Sequence, residues 1–177
     1  MIHIALLRAV NVGGRSLKMA ALTAMFDELG FAGARTLLQS GNVVFDAGAK
    51  KGASLESLLE TETEKRLGLR ADYVVRTPKE WSAAIAKNPF PREAKSDPAH
   101  LVLMPLKSAP SAAQMSALEA AIRGRERAKA VGRELYLVYP DGIGPSKLTI
   151  AVIEKALATR GTARNWNTVL KLRDLVV

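Results

Sequence analysis

The chain of 177 residues carries 26 Lys and Arg against 17 Asp and Glu, a formal charge of +9, with 48% hydrophobic and 24% charged residues. That balance suits one compact domain or two small ones and argues against extended disorder. With no cysteine and only His3 and His100, disulfide frameworks, thiolate chemistry, imidazole-rich metal sites and a Ser/His/Asp triad are set aside, and no cofactor or metal is expected.

The stretch from Met1 to Arg8 reads as a strand. It lacks the basic start, long apolar run and small-residue cleavage site of a secretion signal, and apolar runs elsewhere fall far short of the about 20 residues that span a bilayer. A soluble, cytoplasmic protein with no membrane partner is expected. Leu22, Met25, Phe26 and Leu29 recur at helical spacing and stop at Gly30. Arg35 to Leu38 and Val43 to Phe45 are β-like, with Gly41-Asn42 suited to a tight turn between them. Ser54 is the expected cap of a helix bearing Leu55, Leu58 and Leu59, and Asp72 to Arg76 is a fourth strand. Thr77-Pro-Lys-Glu80 has the form of a capping box with Pro at the first helical position, so a short helix runs through Trp81, Ala84 and Ile85.

Residues 88–99 hold Pro89, Pro91 and Pro98 among polar residues, a linker composition. The pattern then restarts. His100 to Leu106 is a strand, Ser111 with Gln114 is a second capping box ahead of Met115, Leu118 and Ile122, and Arg127 to Val131 with Glu134 to Tyr139 form a hairpin about Gly132. Ser146 is the expected cap of a helix through Leu148, Val152 and Ala156. Gly161 to Arg164 is a weak last strand, and Asn165 opens a terminal helix with Val169, Leu172 and Val176 on one face. The order βαββαβ appears twice. The expected architecture is therefore α+β, with two ferredoxin-like units in tandem: residues 1–87, a linker at 88–99, and residues 100–177 including a C-terminal helix.

A right-handed crossover sets the second strand of such a unit parallel to the first, with their carboxyl ends at one edge. In the first unit that edge gathers Arg8, Asn11, Gly13, Gly14, Gln39, Ser40 and Asn42. These glycines permit close backbone approach, the following helix directs free N–H groups outward, and the polar side chains add donors, so an anion fits there. In the second unit the loop Asp141 to Lys147 and the segment Arg164 to Thr168 both feed helix starts. Ser146, Lys147, Arg164, Asn165 and Trp166 combine two cations, two capping oxygens and a flat ring. If Trp166 is wholly enclosed and Arg164 is paired to an internal carboxylate such as Asp141, that segment is instead a latch for the terminal helix.

The half after Pro98 is the more basic, with 12 Lys and Arg against 6 Asp and Glu, densest from Arg123 to Arg133. Glu56, Glu60 and Glu64 share a helix face and read as a solvated acidic stripe. His100 reads as a core histidine.

Three segments, Leu7-Arg-Ala-Val-Asn-Val-Gly-Gly14, Leu38-Gln-Ser-Gly-Asn-Val-Val-Phe45 and Arg164-Asn-Trp-Asn-Thr-Val169, together resemble the domain-of-unknown-function 1697 family over essentially the whole chain. The resemblance implies a bacterial protein of two ferredoxin-like units and brings no catalytic or binding residues with it. Ala9 stands where relatives are expected to have Gly. The function expected from charge and loops is a non-catalytic module for an anionic ligand, either a nucleotide or nucleic acid. The alternative is a cofactor-independent enzyme for a phosphorylated or acyl substrate, with Arg8, Lys147 and Arg164 as clamps. A third reading is an interaction protein using an open sheet face. Nothing in the sequence sets an oligomeric state.

Overall fold

The computed structural model of the chain describes residues 1–8, 17–38 and 41–176. Its first sheet is built from β1 (Ile2–Arg8), β2 (Ala32–Leu37), β3 (Asn42–Asp46) and β4 (Asp72–Arg76), in the order β2-β3-β1-β4. Every neighbouring pair is antiparallel, so β1 and β2 are parallel to each other with β3 inserted between them. Helices α1 (Met19–Glu28) and α2 (Gly52–Leu67) follow β1 and β3. Side chains alternate across a strand, and the face carrying Ala5, Leu7, Val43, Phe45, Tyr73 and Val75 packs with Leu22, Met25 and Phe26 of α1 and Leu55 and Leu59 of α2 into one apolar core. Phe26 and Phe45 meet edge to face at 4.7 Å, an arrangement favoured by the ring quadrupoles.

The second sheet repeats the plan. Strands β5 (Leu101–Pro105), β6 (Arg127–Val131), β7 (Glu134–Val138) and β8 (Arg164–Asn165) take the order β6-β7-β5-β8, again antiparallel throughout. Its core joins Val102, Met104, Leu135, Leu137 and Ala128 to Leu118 of α5 (Ala112–Ala121) and to Ile153 and Leu157 of α6 (Ile150–Leu157). The chain closes with α7 (Trp166–Asp174). Both βαββαβ units expected from the sequence are present, with helices on one face of each sheet.

The opposite faces are not bare. Ile4, Leu6, Val44 and Val74 in the first sheet and Leu101, Leu103 and Tyr136 in the second are all buried.

By compactness the chain divides into Met1–Ser82, joined by the last residues from Leu172, and Ala83–Lys171. The division falls inside α3 (Pro78–Ala86), ahead of residue 88. Residues 88–99 carry a short helix, α4 (Pro91–Ser96), and bury Phe90. Pro91 opens that helix, where its missing N–H is no loss. Of the three prolines in the stretch, Pro91 marks a helix start, while Pro89 and Pro98 lie in a bend and a turn.

Local chemistry explains most boundaries. Thr77 and Glu80 form the expected capping box, with Thr77 N–H donating to Glu80 at 2.8 Å and Glu80 N–H to Thr77 Oγ1 at 3.2 Å. Ser111 and Gln114 do the same for α5. Two expected caps are corrected. Ser54 lies inside α2 and donates to the Lys51 carbonyl, and Thr149, not Ser146, caps α6 through Val152 N–H at 3.3 Å.

The acidic stripe is also corrected. β4 is an edge strand, paired to β1 through Asp72, Val74 and Arg76 in hydrogen-bonding alternation. The outward N–H groups of Tyr73 and Val75 donate to Glu60 Oε1 at 3.0 Å and to buried Glu56 Oε1 at 2.8 Å. Two of the three glutamates of the stripe therefore close a sheet edge. Glu64 alone is surface-exposed, paired to Arg70.

Candidate functional site

At the first expected edge, topology behaves as the crossover rule requires. Leu6 of β1 and Leu37 of β2 both stand opposite Asn42 of β3, so the two strands end together. Gly41, at φ 71° in the left-handed region, passes its carbonyl to Leu7 N–H at 2.9 Å. Asn11, Gly13, Gly14, Gln39 and Ser40 lie outside the described residues. The two site residues that are described serve the chain itself. Arg8 is paired to Asp72 at 3.2 Å. Asn42 is buried and donates its side-chain amide to the Leu37 carbonyl at 2.8 Å. Both fasten the end of the sheet.

In the second unit the expected loops also meet at one edge. Val138 at the end of β7 stands opposite Leu101, Asn165 stands opposite Val102, and Tyr139 N–H donates to the His100 carbonyl at 2.9 Å. His100 is not a core residue. Its side chain is 40% exposed and its Nδ1 lies 2.7 Å from Asp97 Oδ2.

Burial decides the role of Arg164 to Trp166. Trp166 is 3% and Arg164 8% exposed. Asn165 Oδ1 accepts from Thr168 N–H at 3.0 Å and caps α7 as expected. Arg164 donates to Thr162 Oγ1 at 2.6 Å and to the Ala163 carbonyl at 2.8 Å, and burial pulls its guanidinium down to about 10. Asp141, the carboxylate suggested for it, is taken by Arg125 instead. The enclosed ring and guanidinium and the Asn165 cap fit the latch in part, with Arg164 held by Thr162 and the Ala163 carbonyl rather than by Asp141.

Ser146 and Lys147 do line an open space. Because Arg127 at the start of β6 is in register with Val138 at the end of β7, the chain entering the hairpin and the chain leaving it run side by side. Between them lies a cleft of about 640 Å³ lined by Arg123, Gly124, Glu126, Asp141, Gly142, Pro145, Ser146 and Lys147. Its walls are tied across. Arg125 makes a two-pronged bond to Asp141, and Ser146 Oγ donates to Glu126 Oε1 while accepting from Leu148 N–H at 3.0 Å. The Ser146 hydroxyl, with backbone N–H groups, holds the Glu126 carboxyl below the usual carboxylate range. Gly142 turns the loop at φ 88°, a conformation that disfavours any side chain.

The electrostatics of the cleft are uneven. Arg125 and Asp141 cancel. Among the described residues Arg123 and Lys147 have no carboxylate partner, which leaves two cations facing the single carboxylate of Glu126. A second, smaller hollow of about 330 Å³ shares Glu126 and is lined by Phe90, Glu119, Ile122, Arg127, Ala128 and Lys129. There Arg127 and Lys129 cover the Phe90 ring at 5.1 and 5.8 Å, and Arg127 is bonded to Glu93. Its cations are therefore engaged.

Sequence reasoning had singled out the loop from Asp141 and the basic run from Arg123, but had not joined them. Glu126 was legible only as the lone anion inside that run. Among the described residues no cluster of three or more His, Asp or Glu is placed to hold a metal ion, and no helix is long and apolar enough to cross a membrane.

Comparison with solved structures finds the same fold in a conserved bacterial protein, SP0830, from Streptococcus pneumoniae, at a TM-score of 0.77, 18% identity, and coverage of 99% of this chain and 97% of that one. At that identity the likeness concerns the fold alone. No curated protein matches the chain. The family model described as "Protein of unknown function (DUF1697)" matches residues 1–136, well over half of the 177 residues, and the chain belongs to that family.

Proposed function

We propose that the protein is a non-catalytic module that binds a small anionic ligand in the cleft of its second unit. The observation that supports this reading is the pair Arg123 and Lys147, two cations without carboxylate partners among the described residues, which line one space of about 640 Å³. That volume lies within the roughly 300–1,000 Å³ range of small-molecule sites. Cations held at a concave surface attract and retain an anion more strongly than the same charges spread over a convex one. The neighbouring Arg125 and Arg127 are bonded to Asp141 and Glu93, which favours a compact anion such as a phosphate group over a long nucleic-acid track. Of the three clamps of the enzymatic alternative, Arg8 is bound to Asp72 and Arg164 is buried, which leaves Lys147 alone in the cleft and favours the binding reading.

Calorimetric titration with inorganic phosphate at two salt concentrations tests the reading. Replacing Arg123 and Lys147 together by Ala should weaken phosphate binding at least roughly tenfold, as expected for lost charge-assisted hydrogen bonds. Only a shallow salt dependence is expected. A steep dependence with a short oligonucleotide would point to nucleic acid instead. Unchanged phosphate binding in the double variant would refute the site.

A further inference from the structure

The cleft holds three charges that do not neutralise one another. Arg123 and Lys147 have no carboxylate partner among the described residues, and Glu126, which lines the same space, has no cationic one. The remaining lining carboxylate, Asp141, is answered by Arg125. What holds Glu126 is a hydroxyl. Ser146 Oγ donates to Glu126 Oε1 and accepts from Leu148 N–H at 3.0 Å, so the carboxylate is tied to the loop that carries Lys147 without being paired to it. The same hydroxyl favours the ionised form of Glu126. Two positive groups and one negative group, held apart on one concave surface, are complementary to a ligand that carries two negative charges and one positive.

We propose that the ligand of this cleft is a small phosphorylated amine, whose phosphate monoester meets Arg123 and Lys147 and whose ammonium group meets the Glu126 carboxylate. The inference rests on the anion-binding reading above and adds the chemistry of the ligand's other end. A phosphate monoester carries about two negative charges near neutral pH, and the two cations offset them. Glu126 then stands uncompensated beside an anion unless the ligand brings a cation of its own. An ammonium group brings that charge together with three donors. An alcohol in its place offers a hydrogen bond but leaves the phosphate and the carboxylate repelling each other. A phosphodiester with a single negative charge, joined to the same ammonium, leaves one of the two cations unanswered. Ser146 does not compete for the ligand, because its single proton is committed to Glu126.

Phosphoethanolamine and 2-hydroxyethyl phosphate differ only in ending the same short arm with an ammonium or a hydroxyl group, which makes them the probes. Both are titrated into the full chain at about pH 8, where the ester is dianionic and the amine still protonated. Phosphoethanolamine should bind about tenfold tighter, the scale of one charge-assisted hydrogen bond. Glu126→Gln keeps the volume and a carbonyl oxygen for Ser146 but removes the charge. It should abolish the preference, weakening phosphoethanolamine while 2-hydroxyethyl phosphate binds as well or better, because the anion beside its phosphate has gone. Opposite responses of the two probes are the signature, since a merely structural Glu126 would move both together. The comparison in the unmodified protein stands by itself should the variant fail to fold. Equal affinities there, parallel losses in Glu126→Gln, or tighter binding of aspartate, which bears the same charges on two carboxylates and an ammonium, would overturn the inference. If inorganic phosphate binds and the ammonium group brings no gain, this inference fails alone; if no phosphate compound binds, the anion-binding reading fails with it.

Discussion

Replacing Glu56 by Ala should be among the most damaging single changes outside the apolar core. Glu56 sits on α2 at 6% exposure, and its Oε1 accepts from Val75 N–H on the free edge of β4 at 2.8 Å. No strand lies beyond β4 to take that donor. Removing the carboxylate loses a charge-assisted bond and strands a buried N–H, about 2–3 kcal/mol in all. For a chain of this size that corresponds to a fall of roughly 4–12 °C in Tm. Glu60→Ala should cost less, about 1 kcal/mol, because Glu60 is only half-buried and its bond to Tyr73 N–H is longer at 3.0 Å. Glu64→Ala should be near neutral, since its partner Arg70 is largely solvated. Calorimetric unfolding ranks the three, and amide exchange at Val75 shows whether the edge itself has opened. A Glu56→Ala protein within about 0.5 kcal/mol of the parent, a typical surface effect, would refute the edge-closing role and return the stripe to plain solvation.

Two other outcomes follow from buried polar groups. Arg164→Ala should destabilise by roughly 2–4 kcal/mol, through the lost bonds to Thr162 and Ala163 and the space left behind, while phosphate binding at the cleft stays within twofold. Weakened binding with an unchanged melting temperature would instead make it a ligand residue. All three tyrosines are buried; burial pushes the Tyr139 phenol up to about 12 and those of Tyr73 and Tyr136 beyond it. Because the folded state keeps these phenols neutral, their contribution is intact below about pH 10, where unfolded tyrosine ionises, and is lost as pH rises toward the folded values. Absorbance near 295 nm should stay flat through that pH and then rise together with unfolding; a gradual rise in the folded protein would contradict the burial.

The element order was legible because its signals are local. Capping boxes at Thr77 and Ser111, the spacing of Leu22, Met25 and Phe26, and the turn at Gly132 each need only a few neighbouring residues. The misread residues were those whose meaning lies across the fold. Helical spacing puts Glu56, Glu60 and Glu64 on one face, but cannot say that an unpaired strand edge lies opposite. Arg164 and Trp166 look like a ligand platform in sequence, yet a two-residue strand pairing with Leu103 and Val102 draws the segment inward. Glu126 takes its identity from Ser146, twenty residues on, and only the β6–β7 hairpin brings the two together.

The repeated fold offers a comparison that the sequence of one unit could not. Each unit has a corner where the chain enters its central hairpin beside the chain that leaves it. In the first unit that corner holds Phe31, which is buried against Phe26 and Phe45, with Lys50 over its ring at 5.9 Å. The cation is spent on an aromatic face and the space on a side chain. In the second unit the matching entry is Gly124-Arg-Glu126, and Ser146-Lys147 stands on the leaving side. Glu126 stands directly before β6 where Phe31 stands directly before β2, Arg125 ties the corner to Asp141, and Arg123 and Lys147 are left lining an open cleft. Topology supplies the same corner twice; a few residues decide whether it is closed as core or left as an open cleft.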